Sequence, residues 1–221
     1  MGTEFNDISL TEIEFLEHIF SSDFGVTFLV RLRNQQCVMK VHRGVGPRQY
    51  YDHPTRELDI HVLEANAYAR LKDRGLCDRG IVPQYLGSIR KFDPSTCQPH
   101  LHEFLKDEYP PSAIFLEYIP GIERISLETY NPQRVDNLVF GLREIHKAHV
   151  IHCDIYVRNM MVVKDSPDRV IWLDFDRAET FDEDKLTEEE AERLRVEEQI
   201  MEEFRDTMTA IMAEAPLDSD A

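Results

Sequence analysis

Short apolar runs separated by polar residues make up the N-terminal part of the chain. Two such runs lie between Ile8 and Leu32, and a third at residues 36–41 follows the turn-like segment Arg33–Gln35. Runs of this length, rich in β-branched and aromatic residues, predict strands. We therefore predict two strands joined in a hairpin, followed by a third strand.

A helix is predicted next. Residues 42–52 include two glycines and a proline and predict a loop. Beyond Pro54, apolar side chains recur three or four positions apart, which is the spacing of one helix face. They are Leu58, Val62, Ala65 and Ala69. We expect this stripe to pack on the strands.

The centre of the chain contains two more predicted strands, at residues 81–89 and 113–118. Between them, residues 92–112 form an insertion with prolines and histidines, to which the pattern assigns no structure. Pro120-Gly121 is a turn signal and marks a boundary.

This boundary divides the chain into two predicted lobes. The N-lobe comprises residues 1–119 and the C-lobe residues 120–221, with a hinge at residues 117–121.

In the C-lobe, one apolar stripe predicts a helix and two short apolar runs predict a second hairpin. The runs are residues 160–163 and 170–173. The helical stripe comprises Val135, Leu138, Val139, Leu142 and Ile145.

A long C-terminal helix is predicted to begin with a capping box at Thr187-x-x-Glu190. We expect its acidic face to be solvated and one apolar face to be buried. That face comprises Ile200, Phe204, Met208, Ile211 and Met212.

Length and composition limit the classes of protein to consider. A chain of 221 residues suits one domain or two small lobes that share a cleft. No apolar run approaches the roughly 18 residues that cross a bilayer, and there is no signal-peptide pattern. The four widely spaced cysteines favour reduced thiols over disulfides or a zinc site. We expect a soluble protein of the cytoplasm, or of the nucleus, without membrane association.

The net charge of −17 argues against a nucleic-acid binder, because affinity for nucleic acids depends on basic residues. Residues 181–221 contain 15 acidic and 4 basic residues, a net charge of −11. Most of the excess therefore lies in the C-terminal segment, and a local phosphate pocket remains compatible with the remainder.

The strongest chemical pattern is His152-Cys153-Asp154-Ile155-Tyr156-Val157-Arg158-Asn159, followed by Asp174-Phe175-Asp176. This pattern resembles the catalytic loop and the metal-binding Asp-Phe-Gly segment of protein kinases. Upstream, Val38-Met39-Lys40 resembles the kinase lysine strand. Glu64-x-x-x-Tyr68-x-Arg70-Leu71 resembles the glutamate helix of aminoglycoside- and choline-kinase-like proteins.

The resemblance implies an α+β, two-lobed protein-kinase-like fold. It has an antiparallel-sheet N-lobe with one helix and a shortened, mainly helical C-lobe. The chain would be a compact, atypical member of this superfamily, similar to fungal or microbial kinase-like proteins.

The resemblance also implies roles for the loop residues. Asp154 would orient the acceptor hydroxyl and accept its proton, and Arg158 would offset charge on the transferring phosphate. Asn159 and Asp174 would supply the hard oxygen ligands that suit Mg²⁺.

A second group of residues would bind ATP. Lys40 would contact its phosphates, and Glu64 would fix the direction of Lys40 by an ion pair. Gly25 occupies the place of the third glycine of a kinase phosphate loop, and Ser22 that of another. Glu117-Tyr118-Ile119 resembles the hinge, whose backbone at Glu117 and Ile119 would bind adenine.

Several residues depart from the kinase pattern. Phe20 and Ser22 replace phosphate-loop glycines, and glycine is what lets a backbone approach phosphate closely. Cys153 replaces the arginine that would pair with a phosphorylated loop. Asp176 replaces the metal-motif glycine and adds a carboxylate.

Each residue also has a structural interpretation when taken alone. Lys40 is then a strand-end lysine, Glu64 a helix-surface acid, and Asp154, Asn159 and Asp174 turn residues. We expect His152 to support the loop by packing and hydrogen bonding. The pairs His100-x-His102 and His146-x-x-His149 lack ligand partners of known spacing and favour surface or core histidines over a metal site.

The leading hypothesis is an ATP- and Mg²⁺-dependent phosphotransferase that acts on a hydroxyl. A small-molecule acceptor is favoured over a protein acceptor, because only 45 residues follow Asp176 and they contain no Ala-Pro-Glu element. The alternative is a pseudokinase that acts as a nucleotide-binding or scaffolding module. A third hypothesis, an acidic helical interaction protein, rests on the C-terminal composition alone. The short C-lobe is expected to leave apolar surface for a partner protein or a second copy of the chain.

Overall fold

The computed structural model describes residues 8–54, 56–182 and 184–214. The first half contains five strands and one helix: β1 (Ile13–Ser22), β2 (Gly25–Leu32), β3 (Gln35–His42), α1 (Ile60–Asp73), β4 (Tyr85–Ile89) and β5 (Ser112–Glu117). The second half contains two helices and five short strands: β6 (Ile122–Arg124), α2 (Pro132–Lys147), β7 (Val150–Ile151), β8 (Met160–Val163), β9 (Ser166–Trp172), β10 (Glu179–Thr180) and α3 (Glu188–Glu214).

The five N-terminal strands form one antiparallel sheet in the order β1-β2-β3-β5-β4. The predicted strands are confirmed, although β4 begins at Tyr85, several residues later than the pattern suggested. The β2–β3 turn places Arg33 and Asn34 at φ 49° and 67°. Such left-handed turns suit the twist of hairpin strands.

The alternation of β3 directs its side chains to two different environments. Cys37, Met39 and Val41 lie in an apolar cluster on one face of the sheet. Lys40 and His42 point to the other face, towards α1. The alternation of the strand thus places Lys40 and His42 on the face opposite to Cys37, Met39 and Val41.

The insertion between β4 and β5 covers one face of the sheet. It contains two short 3₁₀ helices, Pro94–Cys97 and His102–Lys106. Its buried apolar residues pack with the outward side chains of β2, β3 and β5; they are Phe92, Cys97, Leu101 and Phe104. The segment that the sequence pattern left unassigned therefore completes the N-terminal core.

The predicted apolar stripe of α1 is wrong. Leu58 precedes the helix, and the other predicted positions are partly buried. The fully buried positions of α1 are His61, Glu64, Ala67, Tyr68 and Leu71. The buried face includes two polar residues, which a search for apolar letters does not recognise as core positions.

The second half follows its predicted pattern closely up to residue 173. All five predicted apolar residues of α2 are buried. The predicted hairpin is β8–β9, which pairs further with β6 in a three-stranded antiparallel sheet. Strands β7 and β10 form a separate two-stranded pair.

The C-terminal helix α3 confirms the capping box, whereas the predicted apolar face is only partly correct. The backbone N–H of Glu190 donates to Thr187 Oγ1 (3.2 Å), and that of Thr187 donates to Glu190 Oε2 (2.8 Å). Ile200 and Ile211 are 49% and 44% exposed. Of the predicted residues, Met208 is buried and Phe204 packs partly buried against the core. The helix also buries Leu194, Glu197 and Met201, which were not predicted.

The fold is a mixed α+β structure whose first half is rich in antiparallel sheet and whose helices lie mostly in the second half. This agrees with the predicted small kinase-like fold. The largest apolar cluster contains residues from both sides of the predicted lobe boundary, among them Tyr68, Leu116, Leu142 and Trp172. Across the described ranges, no helix combines the length and apolar character needed to cross a membrane.

Candidate active site

Strand β3 and helix α1 bring the predicted lysine and glutamate together. Lys40 Nζ lies 2.9 Å from Glu64 Oε1. Glu64 is fully buried, whereas the Lys40 side chain is 21% exposed. The lysine therefore reaches partly exposed surface, and the glutamate lies behind it in the interior.

Asp174 joins this pair from the segment that follows β9. Its carboxylate accepts a hydrogen bond from Lys40 Nζ. Asp174 has φ 66°, in the left-handed region that Asp tolerates better than most residues. The next residue, Phe175, is buried between Tyr68 and His152, with ring centroids 5.1 and 4.6 Å away. Burial of Phe175 thus fixes the backbone that presents Asp174.

The charges in this cluster stabilise one another. Burial alone would lower the pKa of Lys40, but Glu64, Asp174 and Asp176 raise it above its usual value. Burial opposes ionisation of Glu64, yet Lys40 and His42 lower its pKa to about 2. Burial raises the pKa of Asp176 to about 6, against the opposing effect of Lys40. Lys40 and Glu64 are therefore charged at neutral pH.

A second cluster lies in the predicted catalytic loop. Asp154 is 3% exposed, and its Oδ1 accepts a hydrogen bond from Arg158. Asn159 Nδ2 donates to both the backbone oxygen and Oδ2 of Asp154, each at 2.8 Å. Burial would raise the pKa of Asp154, but these two donors lower it. The carboxylate is thus ionised, and both its oxygens are oriented.

Backbone contacts connect the two clusters. The N–H of Leu173 donates to the Asn159 oxygen (3.0 Å). His152 Nε2 lies 3.0 Å from the Leu173 oxygen, so this ring nitrogen donates. His152 therefore ties the catalytic loop to the residue before Asp174, in agreement with its predicted supporting role.

The donor set fits a small divalent cation. Because the Asn159 amide nitrogen is directed at Asp154, the carbonyl oxygen of the same amide faces away from that residue. This oxygen and the Asp174 carboxylate are hard donors of the kind that Mg²⁺ prefers, and nucleotide phosphates usually supply further ligands.

Glu197 on α3 supports the catalytic loop, and the sequence prediction missed it. Its Oε1 accepts from the Cys153 N–H (2.7 Å), and its Oε2 accepts from the His152 N–H (3.1 Å). His146 Nε2 lies 2.7 Å from the same Oε2. The spacing of Glu197 could have predicted that it is buried, because it falls three residues after Leu194 and four before Met201, on the same helix face. One carboxylate of this acidic helix thus lies on its buried face and contributes to the loop.

The predicted nucleotide-binding backbone occupies the sheet near Lys40. Ser22 pairs with Gly25 across the β1–β2 turn, and Gly25 pairs with His42. A Cβ at position 25 would lie 2.1 Å from the Val41 oxygen, so close strand packing requires this glycine. Glu117 ends β5, and the Ile119 side chain packs in an apolar cluster with β8 and β9. Binding of nucleotide by these four residues stays a prediction.

One histidine of each pair makes a packing or polar contact with another element. His146 is buried against Glu197, and the His100 ring stacks on Phe15 with centroids 4.3 Å apart. Among the residues that the structure describes, no three His, Cys, Asp or Glu side chains are arranged to hold a metal by themselves.

Comparison with known families gives a match in the second half of the chain. Residues 129–210 match the sequence model of the lipopolysaccharide kinase (Kdo/WaaP) family, which belongs to the protein-kinase-like superfamily. The match spans α2, the catalytic loop, the metal motif and most of α3, but not Lys40 or Glu64. No curated protein matches the chain. The more specific resemblance to aminoglycoside- and choline-kinase-like proteins stays a prediction.

Proposed function

We propose that the protein is a metal-dependent phosphotransferase that moves the γ-phosphoryl group of ATP to a hydroxyl group. The observation that carries this proposal is the contact of Lys40 with both Glu64 and Asp174, beside a loop in which Asn159 and Arg158 hold Asp154. Similarity of the second half to a kinase family supports the same reaction class.

Each cluster has a distinct role in the proposed reaction. Lys40 binds the ATP phosphates and Glu64 holds its ammonium group in place. Asp154 orients the acceptor hydroxyl, whose oxygen forms a bond to the γ-phosphorus as the bond to the β-phosphate oxygen breaks and ADP leaves. The hydroxyl proton passes to Asp154. Asn159 and Asp174 would hold Mg²⁺, which neutralises phosphate charge when bound.

The acceptor that we propose is a small sugar-like molecule. The matching family is named for kinases of lipopolysaccharide, a sugar-containing substrate. In addition, the described residues between Asp176 and α3 form only the two-residue strand β10. Such a short connection offers little surface to align a peptide.

The nucleotide step is tested by measuring ATP affinity with and without Mg²⁺. Mg²⁺ should strengthen binding, and Asp174→Asn should abolish that increase because it replaces a charged ligand with a neutral one. Asp165→Asn, in the exposed β8–β9 turn, is the matched control and should behave as wild type. Binding that is absent, or that is indifferent to Mg²⁺, would contradict the phosphotransferase and favour the pseudokinase.

A further inference from the structure

His42 is a buried polar residue with no role in the proposed reaction. It lies two positions after Lys40 on β3, on the same face of the strand, and is 1% exposed. His42 Nε2 lies 2.8 Å from Glu64 Oε2, while Glu64 Oε1 faces Lys40. Two side chains of β3 thus hold the two oxygens of one α1 carboxylate.

The chemistry of the contact assigns the donor. Burial would raise the pKa of Glu64, but Lys40 and His42 lower it to about 2, so the carboxylate is ionised and accepts only. His42 Nε2 must therefore carry the proton and donate. Hydrogen bonds to an ionised group are stronger than neutral ones and hold the acceptor in a defined orientation.

His61 provides a second contact between His42 and α1. Its ring meets the His42 ring edge to face, with centroids 5.8 Å apart and planes at 70°. His61 is also 1% exposed, yet within the described part of the chain neither of its ring nitrogens has a hydrogen-bond partner. His42 thus contacts two α1 residues three positions apart: it donates a hydrogen bond to Glu64 and packs against His61.

We propose that His42 is a positioning residue that fixes Glu64, and with it the first turns of α1, so that the Lys40–Glu64 pair forms without an external signal. The catalytic importance of this pair rests on the proposed function. The sequence is consistent with positioning by the fold itself rather than by phosphorylation. Cys153 stands where kinases that are activated by loop phosphorylation carry an arginine.

Three variants distinguish the effect of the His42–Glu64 hydrogen bond from the effect of side-chain packing. His42→Leu removes the donor, His42→Gln keeps an amide donor of similar reach, and His61→Leu changes a neighbouring buried histidine that donates no bond. The readouts are amide hydrogen exchange of residues 60–73 and, in parallel, kcat/KM for ATP. Exchange reports local opening of the helix and does not depend on any catalytic activity.

Loss of a bond to a charged group predicts that His42→Leu accelerates exchange in the first turns of α1, and lowers kcat/KM, by about 10- to 100-fold. His42→Gln should recover most of both effects, and His61→Leu, which leaves the His42–Glu64 hydrogen bond in place, should change both less than His42→Leu does. If His42→Leu does not fold, His42→Asn, whose amide is one methylene shorter than that of glutamine, takes its place.

The positioning role is overturned if exchange in α1 stays within about twofold of wild type in the donor-deleted variant. It is equally overturned if the glutamine variant is as impaired as the leucine variant. A wild-type protein without ATP turnover would contradict the proposed function, but the exchange comparison would still decide the role of His42.

Discussion

At the residue scale, Glu197 has the contacts of a structural anchor for the catalytic loop. Its two carboxylate oxygens accept hydrogen bonds from the backbone N–H groups of His152 and Cys153, the two residues that precede Asp154. Cys153 has φ 60°, so the loop is held in a backbone conformation that is unfavourable for a cysteine. The hydrogen bonds from Glu197 offset part of that cost and maintain the orientation of Asp154.

Replacement of Glu197 by glutamine should destabilise the protein. A glutamine amide has only one acceptor oxygen, because its other terminal atom is a donor nitrogen. One of the two backbone N–H groups therefore loses its acceptor, which costs about 1–3 kcal/mol in the free energy of unfolding. Denaturant unfolding at pH 7 measures this difference. Glu203→Gln, on the exposed side of α3, is the control and should have little effect.

The effect of this substitution should depend on pH. Burial would raise the pKa of Glu197, but hydrogen bonds from His146 and the loop lower it below its usual value. A carboxyl with a lowered folded-state pKa contributes its stability above its unfolded value of about 4.3, and loses that contribution as the pH falls towards the folded value. The deficit of Glu197→Gln relative to wild type should therefore shrink below about pH 4.3. A deficit that is constant with pH would contradict the charged role of Glu197.

The missed residues have neither a local spacing nor a family motif that marks them as site residues. Asp154, Arg158 and Asn159 are recognisable because their spacing is local and the loop that carries them is short. The contacts of Glu197 with the loop and of His42 with Glu64 join separate elements. The contacts of Lys40 with Glu64 and Asp174 also join separate elements, but those residues were predicted through the family resemblance. Such contacts depend on tertiary packing, so they leave no fixed spacing of residues in the sequence by which they could be recognised.

At the element scale, the helices α1 and α3 show where apolar periodicity misleads. In α2 every predicted apolar residue is buried, because the sheet β6-β8-β9 and α3 cover a broad apolar stripe. In α1 and α3 the buried faces include His61, Glu64 and Glu197. A prediction that uses apolar residues alone places the buried face of each helix at the wrong angle, because it omits these polar core positions.

Two adjacent residues of α3 test this assignment of its buried face. Met201 is fully buried in the largest apolar cluster, whereas Ile200 is 49% exposed. Met201→Ala should lower the free energy of unfolding by about 2–5 kcal/mol, because it leaves a cavity. Ile200→Ala should cost much less, because its side chain is already half in water. Equal costs for the two variants, measured by denaturant unfolding, would show that the helix is rotated.

At the scale of the whole molecule, α3 packs as part of the second half of the fold, which carries the predicted catalytic loop, and is not a separate acidic appendage. It packs against α2 and β7, and Arg193 forms an ion pair of 2.8 Å with Glu179 of β10. The family match extends through residue 210 and so includes most of this helix. The hypothesis of a separate acidic interaction helix does not account for these contacts.

The sheet and the insertion organise the other half of the molecule. Because the insertion covers one face of the sheet, β3 directs Lys40 and His42 from the opposite face towards α1. The strands could be predicted from short apolar runs and turn signals, but their order in the sheet, where β5 lies between β3 and β4, could not. The packing of the insertion could not be predicted either, because its few apolar residues are irregularly spaced, some within the two 3₁₀ helices and some outside them.

The most direct test of the proposed function is Mg²⁺-dependent phosphoryl transfer from ATP by the purified protein, with a pooled metabolite extract as the source of acceptor. The account predicts that ADP and a phosphorylated product form together. Asp154→Asn should lower the rate by about 10²- to 10⁴-fold while leaving ATP binding intact, because it removes only the group that receives the acceptor proton. A folded protein that transfers no phosphate, or an Asp154→Asn variant as active as wild type, would contradict the assignment.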